Sequence, residues 1–499
     1  MKTKVILTIS TFFLFFSSCN DEILEQDNPA QLSEATFFRS EDQALAAINA
    51  VYASLQGTNM YTREYFFFHD LLSDDVQSGG AQLEAARAIM LNYNFDGSNP
   101  VMTSVWRGMY RMILRSNFVI ANIDEATNVS DELKARIKGE AHFFRAFAYF
   151  ELVSMWGRVP LITAPTTSPE GTPRSSSEDE VYNLIFEDLE IAEQNLPVRS
   201  AYGGDDVGRV AKGTAQAMQA KVHLFRGDYQ AARQPLLDVI SSGEYRLIDD
   251  YAENFREENE NNDESLFEVQ FSRDFGVGGA WNGDGNGIAE ITFRGQEYGP
   301  NAWRNLIPSD GLVAEYEEGD PRSEYVFYRI GDLYNNGNDT LTVADVQGDT
   351  DKPSWKKYQM IYKTSLENSQ SGINFRVIRY ADVLLMMAEV ENELNGPAAA
   401  LPYINQVRAR PSVDMPLYPT EEYPVGTKEE MFDAIVHERR VELAGEQIRN
   451  RDIRRWRRLG KLDEEPISGF QSRHDLMPIP FEEIDNNSAL TNADQNTGY

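Results

Sequence analysis

One stretch of the sequence combines flat aromatic side chains with hydrogen-bonding side chains in the way that sugar recognition requires. Pyranose rings present C–H faces that stack on aromatic rings, each contact contributing roughly 0.5–1.5 kcal/mol beyond area burial, while amide and guanidinium groups bond the hydroxyls. The candidate binding residues are Trp281, Asn282, Tyr298, Asn301, Trp303 and Arg304. We expect at least one of these aromatic side chains to contact a ligand; for each of them, a position in the local core is the alternative.

The same stretch contains a glycine-rich segment whose polar residues are spaced like the start of a calcium loop. Asn282, Asp284 and Asn286 alternate before Gly287, but the twelfth position, which such a loop fills with Glu, is Phe293. No strand and helix pattern flanks the segment, as a nucleotide-binding loop would require. We therefore interpret it as a tight turn and expect neither a metal nor a cofactor.

Asp74-Asp75 is the most conspicuous acidic pair that could act in glycoside hydrolysis. That reaction needs two carboxylates about 5–10 Å apart with separated pKa values, and neighbours in sequence seldom point at one substrate. The sequence has no Gly-x-Ser-x-Gly or Walker-type motif, and its five histidines lack metal-ligand spacing. We expect no catalytic activity; a surface glycosidase is the enzyme alternative.

The charge balance argues against nucleic acids and anionic lipid surfaces as partners. The 499 residues include 46 Lys+Arg and 79 Asp+Glu, a formal net charge of -33, which repels phosphate groups. The one basic run, Arg449 to Arg458, follows Glu438, Glu442 and Glu446, so we expect it to form internal ion pairs, with Trp456 anchored in the core. Neutral oligosaccharides are therefore favoured over polyanionic ones.

The first residues have the features of a bacterial lipoprotein signal. Two lysines precede an apolar run over residues 5–16, which is too short to cross a hydrocarbon layer of about 30 Å. Small residues follow it and lead to Cys19, the only cysteine, as in a bacterial lipobox. We expect a signal peptide over residues 1–18, lipidation of Cys19 and a polar tether over residues 19–40, and no internal disulfide.

Beyond the tether, apolar residues recur every three or four positions and predict helices. The clearest helix covers residues 137–156 and ends at Gly157, with Pro160 beyond it. The other predicted helices cover residues 41–56, 103–126, 178–195, 211–226, 229–242, 376–395, 397–410 and 428–445. Two helix pairs, which meet at Gly227 and at Gly396, resemble tetratricopeptide hairpins. A run of three phenylalanines, Phe66–Phe68, is interpreted as packing.

The pattern changes between residues 266 and 372, where Leu266–Phe271 alternates like a strand and many glycines follow. Long ordered loops carry function more often than regular helices do. We therefore predict a first helical part over residues 41–265, a loop-rich ligand-binding insertion over 266–372 and a second helical part over 373–499. The predicted fold is mainly α: a tetratricopeptide-like superhelix with an inserted lobe that contains short strands.

Four separated blocks give the chain a family resemblance. They run from Thr36 to Tyr52, from Gly139 to Leu161, from Glu438 to Ala444, and from His474 to the closing Gly498-Tyr499. Together, behind a lipobox and in this order, they resemble the SusD/RagB family of outer-membrane nutrient-binding lipoproteins. The resemblance covers nearly the whole mature chain.

The resemblance implies a helical superhelix with a less regular lobe that holds the ligand loops, and a protein without catalytic activity. It also implies a location on the outer face of the outer membrane and a TonB-dependent transporter of the SusC type as partner. Such proteins capture glycan fragments for import. A protein of the same architecture that binds peptide or another nutrient is the alternative.

Overall fold

The computed structural model describes residues 38–80, 83–165, 170–274, 290–367 and 371–499. Cys19 and the rest of the predicted signal, together with Trp281, Asn282 and the glycine-rich segment over 283–287, lie outside the described residues. Within those ranges the chain forms 16 α-helices and few, short strands, so the prediction of a mainly α fold is confirmed. None of the helices in the described ranges is long and apolar enough to span a membrane.

The helices fall into two groups along the chain. The first group is α1 (Glu41–Tyr52), α2 (Glu64–Asp70), α3 (Ala85–Leu91), α4 (Pro100–Asn122), α5 (Asp131–Trp156), α6 (Glu178–Asn195), α7 (Lys212–Arg226) and α8 (Tyr229–Ser241). The second is α9 (Arg294–Tyr298), α10 (Asp310–Glu315), α11 (Arg322–Val326), α12 (Tyr380–Asn395), α13 (Pro397–Arg408), α14 (Lys428–Leu443), α15 (Arg449–Arg458) and α16 (Phe481–Asn486). From α4 to α8, each helix packs against the next.

Local sequence signals set the ends of the main helices. Helix α5 begins after Ser130, whose side chain accepts a hydrogen bond from the backbone of Leu133, and ends at Gly157, whose φ is +71°. The two predicted hairpins are present: α7 and α8 meet at Gly227, and α12 and α13 meet at Gly396. Because α12 packs against both α7 and α8, the two hairpins form one continuous helical layer.

The strands are short and pair only in twos within the described residues. They are β1 (Val76–Ser78), β2 (Ser265–Val269), β3 (Leu306–Pro308), β4 (Phe327–Tyr328), β5 (Leu333–Tyr334), β6 (Asp339–Thr340), β7 (Ser354–Trp355) and β8 (Phe375–Arg379). The antiparallel pairs are β1–β3, β2–β8, β4–β7 and β5–β6. The β1–β3 and β2–β8 pairs join the loop-rich lobe to the helical parts on both sides of it.

One predicted helix includes residues that form a strand. The apolar pattern predicts a helix over residues 376–395, but the helix begins at Tyr380 and residues 375–379 form strand β8. Phe267 of β2 lies opposite Ile378, and both side chains are buried. The backbone of residues 375–379 is therefore fixed by a partner strand that lies far away in sequence.

Helix α15 contains the arginine run, and its side chains form internal ion pairs as predicted. These pairs are Arg449–Asp74, Arg451–Glu151, Arg455–Glu389 and Arg458–Glu178. Trp456 is fully buried, which confirms the expected anchor. The carboxylates come from distant segments, because Glu438, Glu442 and Glu446 are engaged elsewhere.

Those glutamates belong to a buried cluster of charges, here called the α14 ion cluster, which the sequence analysis missed. All of its members are buried, and the number of acidic residues equals the number of basic residues. The members are Glu264, Asp320, Arg322, Lys357, Arg379, Arg408, Arg410, Glu438, Glu442 and Glu446. The single carboxylate of Glu442 accepts hydrogen bonds from three arginines: Arg379 at 2.7 Å, Arg410 at 2.9 Å and Arg322 at 3.1 Å. The cluster joins the loop-rich lobe to α14.

Candidate functional site

Tyr298 occupies the last position of the short helix α9 and points into the protein. The side chain is fully buried, and its hydroxyl donates a 2.9 Å hydrogen bond to Asp70. Its ring packs edge-on against Phe66 and Phe67 of α2, with ring centroids 5.2 and 5.5 Å away. The interpretation of the three phenylalanines as packing is confirmed, and Tyr298 shares their core, so its ring offers no face for stacking in this structure.

Arg304 is also buried, and its guanidinium is used inside the lobe. Its nitrogens donate to the Ser354 hydroxyl at 2.8 Å, Asp349 at 2.9 Å and the main-chain oxygen of Lys352 at 2.9 Å. The expectation that Arg304 bonds ligand hydroxyls does not fit this geometry. Its φ of +52° turns the chain sharply after Trp303.

The turn that carries Trp303 is held by a close backbone approach from the β1 side. Gly79 donates a backbone hydrogen bond to Asn305 at 3.1 Å, and a Cβ at Gly79 would lie 2.3 Å from the main-chain oxygen of Arg304. Only glycine fits there without a shift of the backbone. The residues after β1 therefore lie directly against the predicted site, which the sequence analysis did not foresee.

Asn301 holds a second segment against this turn. Its amide donates to the main-chain oxygen of Ser365 at 3.2 Å, and its side-chain oxygen accepts from the backbone of Glu367 at 3.0 Å. Both ends of the side chain are therefore engaged. Asn301 positions the 365–367 segment beside the turn.

Among the tryptophans that the structure describes, Trp303 is the one whose side chain is partly exposed. Trp106, Trp156, Trp355 and Trp456 are 0–2% exposed. The main chain of Trp303 is fixed on both sides: its N–H donates to Gln296 at 3.0 Å, and its oxygen accepts from the Gln347 side chain at 3.1 Å. A rigid backbone with a partly exposed indole suits a stacking platform.

The segments that surround this turn expose large aliphatic side chains. Leu366 is 63% exposed, Leu333 on β5 is 62% exposed, and Val343 in the following turn is 48% exposed. Ser365, next to Leu366, and Gln347, in the turn that contains Val343, bond directly to the 301–303 turn. Leu333 lies on β5, which pairs with β6 just before the turn that contains Val343. We define the Trp303 surface as Asn301, Trp303, Leu333, Val343 and Leu366. In the sequence, the Trp303 surface is indicated only by isolated apolar residues in the polar runs around residues 333, 343 and 366.

Asp74 and Asp75, the acidic pair considered for hydrolysis, are held by arginines. Asp74 accepts from Arg449 at 2.7 Å, and Asp75 accepts from Arg440 at 2.9 Å. Both carboxylates are largely buried in these ion pairs. The pair therefore stabilises the contact between the β1 segment and helices α14 and α15. No group of three or more potential metal ligands is found among the described residues.

These features define a class: a helical-repeat scaffold whose loop-rich lobe presents a partly exposed tryptophan among aliphatic side chains. The chain belongs to the SusD family, whose family model matches residues 242–499. A second model, described as starch-binding associating with outer membrane, matches residues 22–224. The resemblance stated from the four sequence blocks is confirmed.

Individual relatives agree with this assignment along nearly the whole chain. SusD-like protein P25 from Formosa agariphila is 29% identical, over 99% of this chain and 100% of that protein. A laminarin-binding SusD-like protein has a TM-score of 0.77 at 27% identity, over 93% of this chain and 100% of the other. Surface glycan-binding protein A from Bacteroides thetaiotaomicron, in complex with laminarihexaose, shares the fold with a TM-score of 0.72 at 23% identity, over 92% and 99%.

Proposed function

We propose that this protein binds oligosaccharides at the Trp303 surface without cleaving them. The observation that carries the proposal is the position of Trp303, a partly exposed indole on a backbone fixed from several sides while the neighbouring aromatic Tyr298 is buried. Solved relatives that bind laminarin and laminarihexaose support a glycan as the ligand class. Trp281 and Asn282, which lie within the same predicted insertion over residues 266–372, remain part of the proposed site.

Neutral glycans are the preferred ligands in this proposal. The chain carries a formal net charge of -33, which repels a polyanion at long range. Arg304, the cation that could offset this repulsion, has all three of its guanidinium nitrogens engaged by Ser354, Asp349 and Lys352. Stacking on Trp303 and contacts with aliphatic side chains therefore supply most of the affinity.

Trp303→Ala is expected to weaken binding of a neutral oligosaccharide at least tenfold, about 1.4 kcal/mol. The melting temperature should stay nearly unchanged, because Trp303 is not part of the buried core. Isothermal titration calorimetry with laminarihexaose and maltohexaose, on the purified chain, measures the effect. Trp281→Ala, tested in parallel, shows whether the second tryptophan contributes to the same site.

Phe481→Ala is the matched control, since Phe481 is an exposed aromatic residue on α16, at 41% exposure. Its affinity for both glycans should equal that of the wild type. Unchanged glycan affinity in both Trp303→Ala and Trp281→Ala would show that the binding site lies elsewhere on the protein. If the protein binds peptides and not glycans, and Trp303→Ala abolishes that binding, the alternative of a peptide-binding protein is favoured. If incubation with polysaccharide produces new reducing ends, the glycosidase alternative is favoured.

The proposal extends to the location and the partner. The family description names outer-membrane association, and Cys19 ends a lipoprotein-type signal. We infer that a lipid on Cys19 anchors the protein to the outer face of the outer membrane. There it passes glycan to a TonB-dependent transporter of the SusC type.

Cys19→Ala is expected to move the protein from the membrane fraction to the soluble fraction of its native host. Fatty-acid labelling of the chain should disappear at the same time. The wild-type chain, extracted with mild detergent, should co-purify with a large β-barrel transporter. Membrane sedimentation and labelling that persist in Cys19→Ala would contradict the anchor, and recovery of wild type only as a free monomer would contradict the partner.

A further inference from the structure

A second cleft lies between the C-terminal end of α5 and the last residues of the chain. It has a volume of about 570 Å³ and shares no lining residue with the Trp303 surface. Arginines from three separate segments line it: Arg158, Arg174 and Arg473. We call it the arginine cleft. A cleft of this size falls in the range of small-ligand sites.

None of the three arginines forms an ion pair with a carboxylate among the residues that the structure describes. Asp494 lies nearby, and its pKa is lowered by hydrogen bonds from Thr491 and by the charges of Arg174 and Arg158. Arg174 donates to neutral oxygens, the main-chain oxygens of Arg158 at 2.6 Å and of Asp494, and the Asn496 amide at 2.7 Å. Arg158 is exposed at the rim. The buried Nε of Arg473 has no hydrogen-bond partner, and its guanidinium lies 5.2 Å from the ring centre of Tyr499.

The two acidic residues that line the cleft do not neutralise these arginines. Glu178 pairs with Arg458 at 2.9 Å, and Asp475 lies 3.8 Å from Arg457. Both of those arginines come from α15, outside the cleft lining. Three arginines thus stand against the nearby Asp494 and two lining carboxylates that lie beside arginines of α15, so the cleft is locally positive in a strongly acidic protein.

Two titratable groups respond to this positive surrounding. Burial, together with the neighbouring Arg158, lowers the pKa of the Arg174 guanidinium to about 10. Burial, together with Arg473, Arg454 and Arg457, lowers the pKa of His474 to about 4. Burial disfavours a charge of either sign, but the contributions of the neighbouring arginines to both shifts reflect the positive charge gathered at this cleft.

We propose that the arginine cleft binds a small anionic saccharide through its carboxylate or sulfate group. Arg158 and Arg473 supply planar guanidinium donors that match such a group, and Arg174 adds a fixed positive charge. Exposed hydroxyls of Ser472 and Thr497 on the lining can bond the sugar hydroxyls. Salt screens charges beyond about 8 Å, so the local arginines outweigh the net charge of the chain. The site is separate from the proposed neutral-glycan site.

Calorimetry on the purified chain with three disaccharides tests the proposal. The probes are digalacturonate, a galactose disaccharide with one sulfate ester, and neutral galactobiose. At least one charged disaccharide should bind at least tenfold more tightly than the neutral one, with affinity that falls as salt rises; which one binds identifies the anionic group. Absence of binding by both charged sugars, or equally tight binding of inorganic sulfate, would overturn the proposal.

The double variant Arg158→Gln with Arg473→Gln should lose at least tenfold in affinity for the charged disaccharide. Arg158→Gln alone, at an exposed position, should weaken binding as well and remains informative if the double variant fails to fold. Arg39→Gln, an exposed arginine far from the cleft in sequence, matches the charge change and should bind as wild type. Laminarihexaose binding should be unaffected in every variant, so this proposal and the neutral-glycan site fail independently. Unchanged affinity in both cleft variants would overturn the proposal.

Discussion

Glu442→Gln is expected to lower the free energy of unfolding by about 3–5 kcal/mol. The carboxylate is fully buried and accepts hydrogen bonds from Arg379, Arg410 and Arg322 at 2.7–3.1 Å. The amide keeps the shape but removes the charge, so the three guanidinium groups lose their shared counter-charge in a place that water cannot reach. Urea unfolding followed by circular dichroism measures the change.

The matched control is Glu482→Gln, which removes the same charge from an exposed ion pair. Glu482 contacts Arg107, and the two side chains are 46% and 52% exposed. Exposed pairs contribute at most about 1 kcal/mol, so this variant should unfold close to the wild type. Equal shifts for Glu442→Gln and Glu482→Gln would mean that the α14 ion cluster contributes no more to stability than a surface pair.

The same carboxylate predicts the direction of acid sensitivity. Burial alone would raise the pKa of Glu442, but Arg379, Arg410 and Arg322 outweigh it and hold that pKa well below its usual range. A lowered pKa in the folded state means that the stabilisation is complete above about pH 4.5 and is lost as the pH falls further. Glu442→Gln should lack this part of the acid-induced loss of stability.

The α14 ion cluster also shows which part of the fold the sequence cannot predict. Helices α5 and α7 follow from local periodicity and from the glycines that end them, because each signal lies within the helix or directly after it. The charges of the cluster come from Glu264 just before β2, from Lys357 just after β7, from β8, and from α11, α13 and α14 with their flanking residues. In the sequence, each of them alone resembles a surface residue. Their burial depends on which segments meet, and no local pattern contains that information.

The boundary between β8 and α12 has the same cause. Residues 375–379, Phe-Arg-Val-Ile-Arg, do not alternate strictly between apolar and charged side chains and precede a strongly helical run, so periodicity extends the helix backwards. Pairing with β2, more than a hundred residues earlier in the chain, selects the strand. Tertiary contacts therefore decide whether these residues form a strand or a helix.

The candidate site is likewise predictable in part from local sequence and in part only from tertiary contacts. Aromatic and amide residues in one loop-rich stretch predict the lobe that presents Trp303, but composition cannot separate Trp303 from Tyr298. The difference arises from α2, whose phenylalanines and Asp70 enclose Tyr298 and leave Trp303 at the surface. Arg304 is likewise turned inward by partners 45–50 residues further along the chain.

The burial of Tyr298 leads to the second large effect. Tyr298→Ala is expected to lower the free energy of unfolding by about 3–5 kcal/mol, because it removes a ring that packs against Phe66 and Phe67 and leaves a cavity. Tyr298→Phe keeps the ring and removes only the hydroxyl, which leaves the buried Asp70 with Gln447 as its remaining side-chain donor. We expect that variant to lose about 1–3 kcal/mol.

Glycan affinity separates this structural role from a role in binding. The Tyr298 hydroxyl points at Asp70 in the interior, so folded Tyr298→Phe should bind laminarihexaose as tightly as the wild type in calorimetry. Tyr325→Phe, at a partly exposed tyrosine outside the Trp303 surface, is the control and should change stability by less than about 0.5 kcal/mol. A tenfold loss of affinity in Tyr298→Phe at unchanged stability would instead place the hydroxyl against the ligand, and α2 would then have to move away from α9 when glycan binds.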